Sequence, residues 1–161
     1  MTTRGEILAA FVNEEVPPRL TPQETIRRLR DQGAFISVSH PFDEWRSGGW
    51  AEQDLLEITP LVDAIEIYTS RCMDPNSNRL AVAFARKHGL AGTVGSDAHA
   101  AIELGRSTLL LEAFGDADGL RRVIPGAASR TTWSPPWFHL ISSYARYRKQ
   151  INKWLDTSAR A

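Results

Sequence analysis

Two short motifs in the sequence combine residue types that can bind a divalent metal ion. A Gly-Ser-Asp-Ala-His motif lies at residues 95–99, and a Ser-His-Pro motif lies at residues 39–41. Residues two apart in extended backbone project to the same side, so the carboxylate of Asp97 and the imidazole of His99 can face one metal ion. The alternative is that Asp97 caps a turn while His99 lies on the surface. Together with His40, these nitrogen and oxygen donors suit zinc, manganese or iron better than calcium.

Both motifs follow apolar runs that are typical of buried strands. Strands predicted at residues 34–39 and 92–95 place the motifs at the carboxyl ends of the strands, where parallel α/β folds bind their ligands. A single histidine at a strand end is more often structural or solvent-facing than a ligand. Two strand ends that carry metal-binding groups at one edge of a sheet therefore favour a shared metal site.

Two arginines near these strand ends are candidates for binding a substrate phosphate. Arg71 follows a strand predicted at residues 64–68, and its guanidinium can hold a phosphate by forked hydrogen bonds or form a surface ion pair. Arg46 lies in the loop after the Ser-His-Pro motif, together with Asp43, and can reach a bound substrate. The alternative for both loop residues is that their charges are solvated.

The elements that must position these residues alternate between strands and helices. A Thr-Pro-Gln-Glu capping box at residues 21–24 predicts the start of a helix that Gly33 ends. An Asp-Pro-Asn-Ser sequence at residues 74–77 begins another helix, which Gly89 ends. The inner face of that second helix is predicted to be Leu80, Ala81, Phe84 and Ala85. Strands are predicted at residues 7–12, 34–39, 64–68, 92–95 and 107–111, with a further helix at 51–58. This alternation predicts parallel strands joined by right-handed crossovers.

The composition excludes several classes of protein. The 161 residues carry 19 basic and 19 acidic side chains, and this neutral balance argues against non-specific nucleic-acid binding. The single cysteine, Cys72, excludes an intrachain disulfide framework and a thiolate zinc cluster. No apolar run approaches the roughly 18 residues that span a bilayer, and the first residues lack the apolar core of a signal peptide. We therefore expect a cytoplasmic protein.

The composition changes near Arg130, which divides the chain into residues 1–130 and residues 131–161. The second part begins with a Trp-Ser-Pro-Pro-Trp sequence at residues 133–137. From 138 to 155, apolar and aromatic residues recur at helical spacing and basic residues lie mostly off that stripe. We predict an amphipathic C-terminal helix that packs its aromatic face on the preceding domain; the alternative is binding to an anionic membrane surface.

The order of these motifs resembles the C-terminal half of a PHP domain, named for polymerase and histidinol phosphatase. The resemblance covers roughly residues 5–111 and is greatest to stand-alone metal-dependent phosphoesterases. It rests on the motifs at 39–41 and 95–99, an Ile-Glu pair at 65–66 followed by Arg71, and an Asn-Arg pair at 78–79. It implies a distorted seven-stranded α/β barrel related to the TIM barrel, with two or three divalent metal ions at the strand C-termini.

By the same resemblance, His40, Asp97 and His99 are metal ligands. The activity that it implies is hydrolysis of phosphate esters by a metal-activated hydroxide. The family pattern also includes an N-terminal His-x-His strand, an Asp-His segment and a glutamate ligand, and we identify none of these here. We therefore predict a partial barrel that lacks its N-terminal strands, either as a fragment of a longer reading frame or as a short paralogue.

Three hypotheses about function follow. The first is a PHP phosphoesterase, incomplete in this chain alone, whose substrate is a phosphorylated small molecule, a nucleotide or an oligonucleotide end. Self-association or a partner chain would then complete the barrel, because an unclosed sheet exposes its edges. The second is a PHP-like binding or regulatory module without turnover. The third is a nucleic-acid-binding subunit, which the neutral charge disfavours.

Overall fold

A four-stranded mixed sheet lies at the centre of the computed structural model, which describes residues 1–45, 48–135 and 137–138. The strands are β1 (Ile7–Ala10), β2 (Phe35–Val38), β3 (Ala64–Thr69), β4 (Ala91–Gly95), β5 (Ser107–Leu110) and β6 (Ala128–Thr131). The four-stranded sheet has the order β1-β2-β3-β4, and β5 and β6 form a separate two-stranded sheet. The α-helices are α1 (Pro22–Asp31), α2 (Glu52–Ile58), α3 (Pro75–His88) and α4 (Ala117–Val123).

The central strands β2, β3 and β4 are parallel, as predicted. The prediction is wrong for β1, which pairs antiparallel to β2 with Ile7 opposite Val38, and for β5, which pairs antiparallel with β6, a strand that was not predicted. The connection between β1 and α1 explains the direction of β1. Arg19 donates its backbone N–H to the Met1 carbonyl oxygen at 3.1 Å, so residues 11–21 carry the chain back to the end where β1 begins.

The predicted starts of α1 and α3 are confirmed, and a side chain caps each of them. The Thr21 hydroxyl accepts the backbone N–H of Glu24 at 3.2 Å, and the Asp74 carboxylate accepts that of Asn76 at 2.8 Å. Gly89 ends α3 with φ of 66°, a left-handed conformation that glycine adopts without steric cost. One prediction for the face of α3 is wrong, because Leu80 is 47% exposed.

The core lies on both faces of the sheet. On one face, α1, α2 and α3 cover apolar strand residues, among which Ile36, Val38 and Ile65 are fully buried. Burying each such side chain contributes about 1.5–3 kcal/mol. On the other face, α4 packs against the amino-terminal half of β2 and β3 through Leu120 and Ile124. Helix α4 and strand β6 were not predicted, since both are short and follow no clear periodic pattern.

A charged cluster joins elements at the amino-terminal end of the sheet. The carboxylate of Asp63, just before β3, accepts hydrogen bonds from Arg30 of α1 at 2.8 Å and from Arg121 of α4 at 3.0 Å. It also accepts the backbone N–H of Ile36 at 2.8 Å. Burial opposes the charged form of Asp63, but these hydrogen bonds outweigh it and lower the pKa of the carboxyl group.

The described residues form a mixed α/β fold, and their sheet does not close into a barrel. The partial barrel and the division at residue 130 therefore stay predictions. The predicted C-terminal helix lies outside the described residues except for Phe138, which is buried. Among the helices in the described part of the chain, none has the length and apolar character to cross a membrane.

Candidate functional site

The buried carboxylate of Glu66 lies at the carboxyl edge of the sheet, which we define as the ends of β2, β3 and β4. Its Oε2 accepts the backbone N–H of His40 at 2.8 Å and the Ser39 hydroxyl at 3.3 Å. Its Oε1 lies against Gly95, so closely that a Cβ added there would overlap the oxygen. A side chain at the first position of the 95–99 motif would therefore displace the Glu66 carboxylate or the strand that carries it.

Electrostatics make Glu66 an unusual acid. Burial is the main cause of its raised pKa, and the nearby charge of Asp97 raises it further. Hydrogen bonds from His40 and Thr69 oppose this rise but do not cancel it. Glu66 was not among the site residues predicted from the sequence. The available signal was its position as an acidic residue inside an otherwise apolar strand.

His40 follows β2 and is buried against a second glutamate. Its Nε2 lies 3.2 Å from the Glu6 Oε2, and its Nδ1 has no hydrogen-bond partner in the described part of the chain. Glu6 reaches this position because β1 is antiparallel, so that the residue before β1 lies beside the end of β2. The Ser39 N–H donates to the Glu6 carbonyl oxygen at 3.1 Å, which fixes this arrangement. No signal in the sequence pointed to Glu6, since strand direction alone brings it here.

The loop that carries Asp97 and His99 follows β4. Asp97 has φ of 47°, in the left-handed region, and the Nδ1 of His99 lies 2.9 Å from the Asp97 carbonyl oxygen. A carbonyl oxygen only accepts, so in the neutral imidazole the Nδ1 carries the proton and the Nε2 keeps its lone pair. Ser96 ties the loop to β5, because its hydroxyl donates to the Ser107 carbonyl oxygen and accepts the Ser107 N–H.

The structure describes one of the two candidate phosphate-binding arginines. Arg71 is buried, and its Nη1 donates to both carboxylate oxygens of Glu103 at 2.8 and 2.9 Å. The ion pair that was the alternative for Arg71 is therefore present, although it lies in the interior and not on the surface. Arg46 lies outside the described residues, and Asp43 is buried beside the carboxyl edge.

The donor chemistry at the carboxyl edge fits a divalent metal ion. His40 has an unpartnered buried ring nitrogen, its Nε2 lies beside the Glu6 carboxylate, and its backbone N–H donates to the Glu66 carboxylate. A cavity of about 10 Å³ beside His40, Asp43 and Glu66 is comparable to a single water-sized sphere. Even so, no three His, Cys, Asp or Glu side chains of residues 1–45, 48–135 and 137–138 are grouped as a metal cluster. His40, Asp97 and His99 stay predicted ligands.

Comparison with known families identifies the segment that contains this loop. Residues 75–125, from the start of α3 through α4, match the family model described as PHP-associated. The chain carries a PHP-associated segment. The resemblance noted in the sequence is confirmed there, and the PHP-associated segment includes the 95–99 motif and Glu103, whereas His40, Glu66 and Arg71 precede it.

Related proteins extend this similarity beyond the PHP-associated segment. The chain is 37% identical over 109 residues to the uncharacterized protein MJ0417 of Methanocaldococcus jannaschii, an alignment that covers 66% of this chain and 46% of the relative. The chain thus spans about half the length of that protein. The crystal structure of PsfC from Pseudomonas syringae PB-5123 superposes with a TM-score of 0.63 and 20% identity, covering 92% of this chain and 62% of PsfC. That similarity establishes a shared fold.

A further solved structure comes from Bifidobacterium adolescentis ATCC 15703 and is provisionally named a metal-dependent phosphoesterase. It superposes with a TM-score of 0.47 and 22% identity, covering 67% of this chain and 37% of that one.

Proposed function

We propose that this chain forms part of a PHP-type site that hydrolyses phosphate esters with the help of divalent metal ions. The observation that carries the proposal is the buried carboxylate of Glu66, held between the backbone of His40 and the 95–99 motif. Burying the Glu66 carboxylate near the charge of Asp97 costs free energy in a metal-free protein, and a bound cation would offset that cost. The PHP-associated segment supports the same family of activities.

The proposed ligands are His40, Asp97 and His99, with Glu6 and Glu66 as the carboxylates that the fold brings beside them. A divalent ion bound there would supply a Lewis acid and a hydroxide at neutral pH. The chain's own residues prepare the site, because Glu66 fixes the backbone of His40 and His99 keeps its Nε2 lone pair available. Zinc, manganese and iron all suit such donors.

The substrate class that we propose is a phosphate monoester, either a small molecule, a nucleotide or the end of an oligonucleotide. A cavity of about 10 Å³ has no room for an ester, so the substrate would lie at the open side of the carboxyl edge. Arg46 stays the proposed contact for its phosphate. A second chain, or another copy of this one, would complete the set of ligands.

The second candidate function is a PHP-like binding module without turnover. The observation that favours it is the missing cluster of three donors within the described residues. Such a module would keep the fold and a weak metal site, with too few ligands to activate water.

Metal titration and an activity assay together test these two functions. Isothermal titration with Mn²⁺ or Zn²⁺ should detect binding to the wild-type chain that His40→Ala or Asp97→Asn weakens by about tenfold or more. Asp31→Asn, at an exposed end of α1, is the matched control and should bind as the wild type does. Metal-dependent hydrolysis of p-nitrophenyl phosphate would support the phosphoesterase; binding without hydrolysis would favour the module. If the wild type and the variants bind metal equally, both functions are wrong.

A further inference from the structure

The buried ion pair of Arg71 and Glu103 has no role in the proposed chemistry. The side chains are 3% and 0% exposed, and they come from different loops of the carboxyl edge. Taking two opposite charges out of water is costly, and only excellent geometry with further hydrogen bonds offsets that cost. Further hydrogen bonds of Glu103 lead directly to the 95–99 motif.

Glu103 binds the backbone of the motif with one oxygen. Its Oε2 accepts the N–H of His99 at 3.0 Å and the N–H of Ala100 at 3.0 Å, and the same oxygen accepts Arg71 Nη1 at 2.8 Å. The Glu103 backbone N–H in turn donates to the Ala100 carbonyl oxygen at 2.9 Å. A charged acceptor on two consecutive amides holds a loop more firmly than neutral contacts do.

The loop needs such support because its backbone is strained. Asp97 lies in the left-handed region with φ of 47°, and a residue with a side chain stays there only where neighbouring contacts fix it. The same backbone path brings the Asp97 carbonyl oxygen to the Nδ1 of His99. The hydrogen bonds to Glu103 therefore act at the two residues that follow this strained turn.

We infer that Arg71 and Glu103 are positioning residues that hold the 97–100 loop and thereby set the His99 imidazole with its proton on Nδ1 and its lone pair on Nε2. Glu103 binds the loop, and Arg71 neutralises and orients Glu103. Arg71 thus acts through Glu103. That the Nε2 lone pair serves to bind a metal ion rests on the proposed function. The hydrogen bonds that hold the loop and the imidazole belong to the metal-free chain.

Two double variants separate the hydrogen-bond acceptor from the charges. Arg71→Met with Glu103→Gln removes both charges but keeps a carbonyl acceptor for the two amides. Arg71→Met with Glu103→Met removes the acceptor as well, with side chains of similar length. An apolar replacement of a buried ion pair is often well tolerated, so both variants are expected to fold. Denaturant unfolding of each variant measures its stability independently.

The measurements are made on metal-free protein at about pH 8, where an ordinary imidazole is neutral. Imidazole ¹⁵N shifts report the His99 tautomer, and amide hydrogen exchange reports the His99 and Ala100 N–H groups. We expect the Nδ1–H tautomer and slow exchange in the wild type and in the double variant with Glu103→Gln (the Gln variant). In the double variant with Glu103→Met (the Met variant) we expect mixed tautomers and amide exchange about tenfold faster or more, the factor for one hydrogen bond to a charged group.

The surface pair Glu24 and Arg27, whose guanidinium and carboxylate lie 2.9 Å apart, provides the control. Glu24→Gln with Arg27→Met should leave the His99 signals unchanged. An Nε2–H tautomer in the wild type would overturn the inference without any variant. Equal exchange and tautomer in the Gln and Met variants would also overturn it. These measurements are made without metal, so they do not depend on the metal titration. A failed metal titration would contradict the proposed function but would not change the tautomer or the exchange rates expected here.

Discussion

Glu66 Oε2 accepts the backbone N–H of His40 at 2.8 Å, so a carboxylate from β3 fixes the loop that follows β2. Glu103 does the same for His99 at 3.0 Å. In both cases a buried glutamate binds the main chain of a histidine that the sequence marks as a metal ligand. His40, with φ of 24°, and Asp97 both have backbone conformations that side chains disfavour, and these glutamates lie where support is needed.

Replacing Glu66 by glutamine should weaken metal binding without unfolding the protein. The amide oxygen can still accept the N–H of His40, and the variant carries no carboxylate charge, the form that burial disfavours when it raises the pKa of Glu66. We expect the metal-free variant to be at least as stable as the wild type in urea, with affinity for Mn²⁺ reduced about 10–100-fold. Glu57→Gln, at an exposed carboxylate bound to Gln23, is the control. Unchanged Mn²⁺ affinity would remove Glu66 from the site.

Gly95→Ala should damage the site through a steric overlap. The new methyl group would meet the Glu66 Oε1, and the side chain or β4 must shift. We expect a loss of about 1–3 kcal/mol in the free energy of unfolding. Gly126→Ala, which meets nothing within 4 Å, should lose far less. Combining Gly95→Ala with Glu66→Asp shortens the acid and should recover part of the stability; no recovery would contradict the contact.

Glu6→Gln tests the contribution of the residue that strand direction brings to His40. The glutamine keeps the size of the side chain and removes the charge 3.2 Å from the His40 Nε2. If Glu6 helps to hold the metal ion, affinity for Mn²⁺ should fall by about tenfold or more. Glu14→Gln, in the exposed loop after β1, should bind Mn²⁺ as the wild type does. Equal affinities for the two variants would mean that Glu6 only contacts His40.

Asp63→Asn should lower stability at neutral pH, and the difference from the wild type should shrink in acid. Because the folded pKa of Asp63 lies below its ordinary value of 3.8, its contribution is complete above that pH and is lost as pH falls through the folded pKa. We expect a loss of about 1–3 kcal/mol at pH 7. Urea unfolding from pH 7 to pH 2 measures it. Asp118→Asn removes an exposed partner of Arg121, and its loss in unfolding free energy should be smaller and should depend less on pH.

Short-range signals account for what could be predicted of the fold. The capping groups Thr21 and Asp74 and the terminal Gly89 act within a few residues, so the ends of α1 and α3 follow from local sequence. The apolar runs before His40 and Gly95 are strands for the same reason. The exposure of Leu80 and the antiparallel direction of β1 depend on which elements pack beside them, and no local pattern contains that information.

The sequence by itself determined the order of strands and helices as far as β5, the parallel core of three strands and the two motifs at its carboxyl edge. Only the tertiary structure decided that Glu6 faces His40, that Glu66 lies against Gly95 and that Arg71 is paired with Glu103. The reason is distance along the chain. Each of these contacts joins residues about 30 positions apart, and their meeting depends on strand direction and register, which are fixed when the sheet assembles and not by the residues nearby.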